Sequence, residues 1–119
     1  MAPLTDGDCF EAYKDALSNW SYRGYVRFEL NETAHKWLRT ELDGITTDEL
    51  SRLMFEYVSE GGEIDQVRET RPNWADYEFH YDLRFSVQDT PVYVETRLHF
   101  DPPFVPDESS ILVVNVHAP

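Results

Sequence analysis

The sequence predicts an α+β fold: an N-terminal helix, then β-α-α-β-β-β, with helices covering one face of a small, mostly antiparallel sheet. Three observations lead there. The first half of the chain carries apolar side chains at three- and four-residue spacings, interrupted by one short alternating stretch. Of two later segments, "YEFHYDLRFSV" (Tyr77–Val87) alternates without a break, and "VYVETRLHF" (Val92–Phe100) places Val92, Val94, Thr96, Leu98 and Phe100 on one parity. The last apolar run, "ILVVNVH" (Ile111–His117), is apolar on both parities until Asn115, which suits a strand buried on both sides between two neighbours. A length of 119 residues fits one domain, 1–119, with 1–24 as a helical extension and 25–117 as the α+β core.

Each element has its own signals. Between Asp8 and Trp20 the residues Phe10, Tyr13, Leu17 and Trp20 fall on one helical face, with Asp6 or Asp8 as N-cap. After a break at Ser21–Gly24, "YVRFEL" alternates as a first strand over Tyr25–Leu30. Asn31 can cap a second helix holding Ala34, Trp37, Leu38 and Leu42, and Gly44 can end it in the left-handed conformation. In "ITTDEL", Thr46 and Glu49 have capping-box spacing and Ile45 and Leu50 stand at staple positions, so a third helix starts near Thr47. Leu50, Leu53, Met54, Tyr57 and Val58 continue it until Gly61-Gly62. The stretch Glu63–Asp76 lacks a sustained period, apart from one short strand around Ile64–Val67, and reads as a loop through Arg71-Pro72.

The two alternating segments form a hairpin. A four-residue loop, Gln88-Asp89-Thr90-Pro91, would set Val87 opposite Val92 and make one face wholly packable, with Leu83 against Thr96. The other face would then pair Arg84 with Glu95, Asp82 with Arg97 and His80 with His99, a solvated surface patterned with cross-strand charges. The last strand is expected between Val92–Phe100 and Tyr25–Leu30. The link "DPPFVPDESS" reads as a surface excursion.

Composition excludes several functions. There are 23 acidic and 10 basic residues, a formal net charge of −13, so most of the surface repels a phosphate backbone and nucleic acid is an unfavourable partner. A basic protein is the partner that such a charge favours, and a homodimer stays open. Solubility and a high-salt environment are blander explanations, the latter in keeping with two Lys against eight Arg. No apolar run is long enough to span a membrane, and the start has no basic region followed by an apolar one, so no membrane association and a cytoplasmic location are expected. Cys9 is the only cysteine, which excludes an internal disulfide and a cysteine zinc cage. There is no phosphate-binding glycine loop, nucleophile elbow or His-Glu-x-x-His helix, and no cofactor is expected. His80, His99 and His117, one per strand, are chemically enough for a zinc site, but their spacing gives no support and no metal is expected.

One resemblance enters at the level of topology. "VRFELNETAHKWLRTELDGITTDELSRLMFEYV", a strand running into two helices, followed by "YDLRF", "VYVETRL" and "ILVVNVH", resembles the RelE/ParE-like toxins of toxin–antitoxin modules over residues 25–117. The resemblance implies mRNA cleavage on the ribosome by basic and polar residues of the open sheet face. By position these would be Arg84, Arg97 and His117. Arginine can hold a scissile phosphate and histidine can move a proton near neutral pH. Against it stand the acidity of the chain, where such toxins are basic, and the pairing of both arginines with carboxylates.

The reading favoured by charge, size and missing catalytic motifs is a small acidic protein-binding module, of the antitoxin, immunity-protein or nuclease-inhibitor kind. Its expected contact residues are His80, Asp82, Glu95 and His99 on the polar sheet face, with Trp74, Tyr93 and Phe104 as aromatic contacts.

Overall fold

A computed structural model describes residues 2–5, 7–100 and 109–119; Asp6 and the excursion 101–108, with Phe104, lie outside the described residues, as does the side chain of Phe100. The elements are β1 (Ala2–Pro3), α1 (Gly7–Ser18), β2 (Val26–Phe28), α2 (Glu32–Glu41), α3 (Thr47–Ser59), β3 (Asp65–Arg68), β4 (Phe79–Val87), β5 (Thr90–Phe100) and β6 (Ser109–His117), with a single 3₁₀ turn at Pro72–Trp74. The strands form one sheet in the order β1-β3-β4-β5-β6-β2, antiparallel except for the β2–β6 pair. This is the expected α+β architecture, with β6 between β5 and β2. The N-terminal strand β1, which extends the sheet beyond β3, carries no sequence signal.

Helix boundaries follow local chemistry. Asn31 accepts the Ala34 N–H at 2.8 Å, and Gly44 has φ of 73°, the left-handed value expected where α2 stops. Thr46 accepts the Glu49 N–H at 3.1 Å, half of the expected capping box; the Glu49 carboxylate instead turns to Arg52 at 3.1 Å. Gly62 has a packing reason as well, since a Cβ there would lie 2.3 Å from the Tyr57 ring.

Helices α1, α2 and α3 cover one sheet face, where Leu17, Leu38, Leu50 and Met54 meet Leu83, Val94, Ile111, Val113 and Val116. Helix α1 is a wall of this core rather than an appendage: Tyr13 and Leu17 are fully buried. Thr96 donates its only hydroxyl hydrogen to the Tyr81 carbonyl at 2.6 Å, so the Tyr13 hydroxyl, 2.8 Å from Thr96 Oγ1, is the donor in that second bond. Burial raises the Tyr13 pKa well above the usual phenol value, which keeps that donor in place.

Two features of the sheet correct the sequence reading. The β4–β5 hairpin turns through two residues, not four: Val87 pairs with Thr90, and Gln88 and Asp89 both take positive φ, 50° and 68°. That is the signature of a type I′ turn, whose twist matches the flanking strands. The register therefore moves by two, so that Arg84 faces Tyr93 and Asp82 faces Glu95. Faces are preserved because side chains alternate with period two.

The second feature is a β-bulge in β6. Glu95 pairs with Asn115 but its neighbour Thr96 pairs with Val113, leaving Val114 as the extra residue. Before the bulge Ile111 and Val113 face the helices; after it Val116 does, and His117 is turned to the opposite face. The double-apolar pattern of "ILVVNVH" thus reflects a change of face as well as a central position.

Neither Gln88 nor Asp89 suits the left-handed region as well as the Asn-Gly pair that favours this turn. Replacing both, Gln88→Asn with Asp89→Gly, is expected to stabilise the fold by about 1 kcal/mol, a rise of about 4 °C in the thermal midpoint measured by circular dichroism. An unchanged or lower midpoint would contradict the turn assignment.

Candidate functional site

The polar residues of β3, β4, β5 and β6 gather on the sheet face away from the helices. Half of that face is closed. Beyond β3 the chain continues with a Glu69–Glu78 backbone hydrogen bond, then crosses the face as a strap through Arg71 and Trp74. Beneath it lies Arg97, fully buried, its guanidinium shared between Glu69 and Glu95, the latter at 2.8 Å. Arg71 closes the ring from above, with Nε 3.1 Å from Glu69 and a second nitrogen bonded to Glu95. The Trp74 ring covers the Arg97 guanidinium at 4.8 Å, a desolvated cation–π contact. Two arginines balance two carboxylates, the condition under which buried charge is tolerated.

Glu69 also fixes the course of the strap, because its carboxylate accepts the backbone N–H groups of Thr70 and Arg71 at 3.0 and 3.1 Å. Burial pushes the Glu69 carboxyl up, but the Arg71 hydrogen bonds and the nearby Arg97 charge outweigh it and bring the pKa down to about 2. Glu95 shifts downward too: its desolvation is overcome by Arg71 and Arg97. These partners replace the expected pairs. Arg97 bonds to Glu69 and Glu95 rather than Asp82, and the face that alternation predicted as solvated is buried at Asp82, Glu95 and Arg97.

The other half is more open. Asp82 accepts from the Tyr93 hydroxyl at 2.7 Å and lies 2.7 Å from His80 Nδ1. A carboxylate oxygen accepts, so the donor in this contact is the His80 Nδ1–H. Arg84 lies over the Tyr93 ring at 4.8 Å, and its ion pair is with Asp65 rather than Glu95. His117 stacks on Tyr93, with ring centroids 4.6 Å apart, and its Nδ1 faces the Ala118 carbonyl at 2.6 Å. Desolvation and the bond to Asp82 raise the Tyr93 pKa, so its hydroxyl stays a donor.

The predicted site residues thus separate. Arg84, Tyr93, His117, His80 and Asp82 form one contiguous group, while Arg97, Glu95 and Trp74 belong to the closed half. His99 meets the edge of Tyr77 at 6.3 Å, and its Nδ1 is buried without a hydrogen-bond partner among the described residues. The three strand histidines do not converge, and among the described residues no group of three or more His, Cys, Asp or Glu side chains is placed to hold a metal. Phe104 lies outside the described residues. Glu69, Arg71 and Asp65 complete the networks and were not anticipated; the one usable signal was an aromatic residue, Trp74, inside an otherwise polar loop.

No protein-family model, curated protein or solved structure matches the chain at a significant level. Among the described residues no helix is long and apolar enough to cross a membrane.

The closed half makes stability depend on acid. Glu69 titrates near 4.5 when unfolded and at about 2 in the fold, so its contribution is present above pH 4.5 and is lost as pH falls toward 2. Denaturation midpoints followed from about pH 6 to about pH 2 should fall across that window, and Glu69→Gln should flatten the fall. Arg97→Met, which leaves two buried carboxylates to the single Arg71, should cost about 3 to 5 kcal/mol by chemical denaturation. A loss under about 1 kcal/mol would mean that the ring does not hold the strap.

Proposed function

We propose that the protein is a small acidic binding module for a basic protein partner, acting as an antitoxin, immunity protein or nuclease inhibitor does. One observation carries this reading: six of the ten basic residues pair with carboxylates of the chain, while many exposed acids have no ion-pair partner among the described residues. Arg39, Arg52, Arg68, Arg71, Arg84 and Arg97 all pair with carboxylates of the chain itself. On the helical side Glu11, Asp15, Glu41, Asp43, Asp48 and Glu60 are exposed and have no ion-pair partner among the described residues. A surface of this kind attracts a basic partner at long range and accelerates encounter, an effect that salt weakens.

A second reading, RNA cleavage of the RelE-like kind, is favoured by a different arrangement. The bulge in β6 sets His117 on the same face as Arg84, the two flanking the Tyr93 ring. Weighing against it, Arg97 is fully buried and committed to Glu69 and Glu95, so the group that would have to hold phosphate is withdrawn.

The two readings separate in one experiment. Immobilised protein should retain a basic protein from lysate of its own source at about 0.1 M salt and release it at about 1 M, where the Debye length falls from about 10 Å to about 3 Å. Retention should survive His117→Ala. If instead ribosomes or RNA are held, and RNA is cleaved by the wild type but not by Arg84→Ala or His117→Ala, the binding-module reading fails and the ribonuclease reading replaces it.

A further inference from the structure

We infer that the cleft between the α2–α3 turn and the tip of the β4–β5 hairpin is the receptor for a lysine or arginine side chain of the basic partner. The inference rests on the proposed binding function and adds to it a place and a mode of recognition. The cleft has a volume of about 530 Å³, within the range of small-ligand sites. Its apolar lining comes from Leu42 and Val87, both buried, and from the half-buried Ile45 and Leu53. Two exposed carboxylates, Asp43 and Glu49, line it as well.

Apolar side chains and carboxylates lining one cleft match one type of side chain. Lysine and arginine lay an aliphatic stem along apolar surface and keep the charged head at the polar end. A purely apolar group would leave Asp43 unanswered, and an anion would be repelled by it. Among the described residues Arg52 is the one cation that lines the cleft, and it is already engaged by Glu49 at 3.1 Å and by Glu56 at 2.7 Å. Asp43 has no ion-pair partner among the described residues, so the cleft keeps a net negative charge. On the polar sheet face the reverse holds, because Arg71 and Arg97 occupy Glu69 and Glu95. In this cleft concavity and an unpaired carboxylate coincide.

The backbone gives a further reason. Among the described residues three non-glycine residues have positive φ: Asp43, Gln88 and Asp89. The first two line this cleft and the third adjoins it at the hairpin tip. Asp43 follows the end of α2, and Gln88 and Asp89 make the hairpin turn, so two tight turns border the cleft.

The test uses ¹⁵N-labelled protein titrated at low salt with a glycine-flanked single-arginine peptide, and with the same peptide carrying citrulline, which keeps the shape and removes the charge. Amide shifts should concentrate at Asp43, Gly44, Thr46 and Gln88 and be absent with citrulline. The double variant Asp43→Asn, Glu49→Gln should bind the arginine peptide about fivefold to tenfold more weakly. Asn tolerates the left-handed backbone at position 43, so that variant keeps the fold and its spectrum checks this. Equal binding of citrulline, or unchanged affinity of the double variant, would overturn the cleft as a cation receptor. Shifts spread over α1 and the exposed face of α3 would also overturn it while leaving the acidic-module reading in force. No shift with the arginine peptide or with an oligoarginine would overturn both.

Discussion

A guanidinium sealed from water organises one whole side of this protein. Arg97 stands on a central strand, and taking its charge out of solvent carries a cost that only close carboxylates can offset. Glu95 supplies one from the same strand, and Glu69 supplies the other from beyond β3. Bringing Glu69 into place fixes the chain after β3, orders Thr70 and Arg71 on its carboxylate, and draws Trp74 over the cation. A segment without periodicity, carrying a proline, gains one defined path in this way. Replacement of such a ring by packed apolar residues is often neutral or better for stability, so the ring's contribution is best understood as conformational choice. Many alternative loop paths would leave Arg97 or Glu69 buried and alone, and those paths are the ones suppressed.

The same network divides the protein's charge. Each arginine that enters an internal pair leaves the acidic excess on the outside less opposed, and six arginines do so. The formal charge of −13 is therefore unevenly placed, with unanswered acids on the helices and the α2–α3 turn. The sheet face that would have to carry phosphate-directed arginines is balanced instead. Acidity, internal neutralisation and a cleft lined by carboxylates all support a role in binding basic partners, and the Arg84–Tyr93–His117 group is what gives the ribonuclease alternative its remaining argument.

How far the site was legible can be traced residue by residue. Asn31, Thr46 and Gly44 were readable as helix boundaries because capping is settled within four residues of chain. The face of every residue in β4 and β5 was also readable, since period-two alternation against a core permits a single orientation. The hairpin register was not, because a shift of two residues keeps every side chain on its face and alternation cannot detect it. Turn geometry at Gln88 and Asp89 decided it, with neither residue announcing a two-residue turn. The partners of Arg84 and Arg97 moved with that register.

From sequence alone came the α+β class, the three helices, the central position of β6 and the two-faced character of the sheet, all of them consequences of local capping or of hydrophobic period. Tertiary structure decided which polar residues are sealed and which stay open. That outcome depends on Glu69, Arg71 and Trp74 crossing a sheet from a loop, and on Val114 turning His117 to the other face. Contacts between residues distant in sequence leave no periodic mark on the chain, and the free energy of a buried charge is set by partners that only the fold brings within reach.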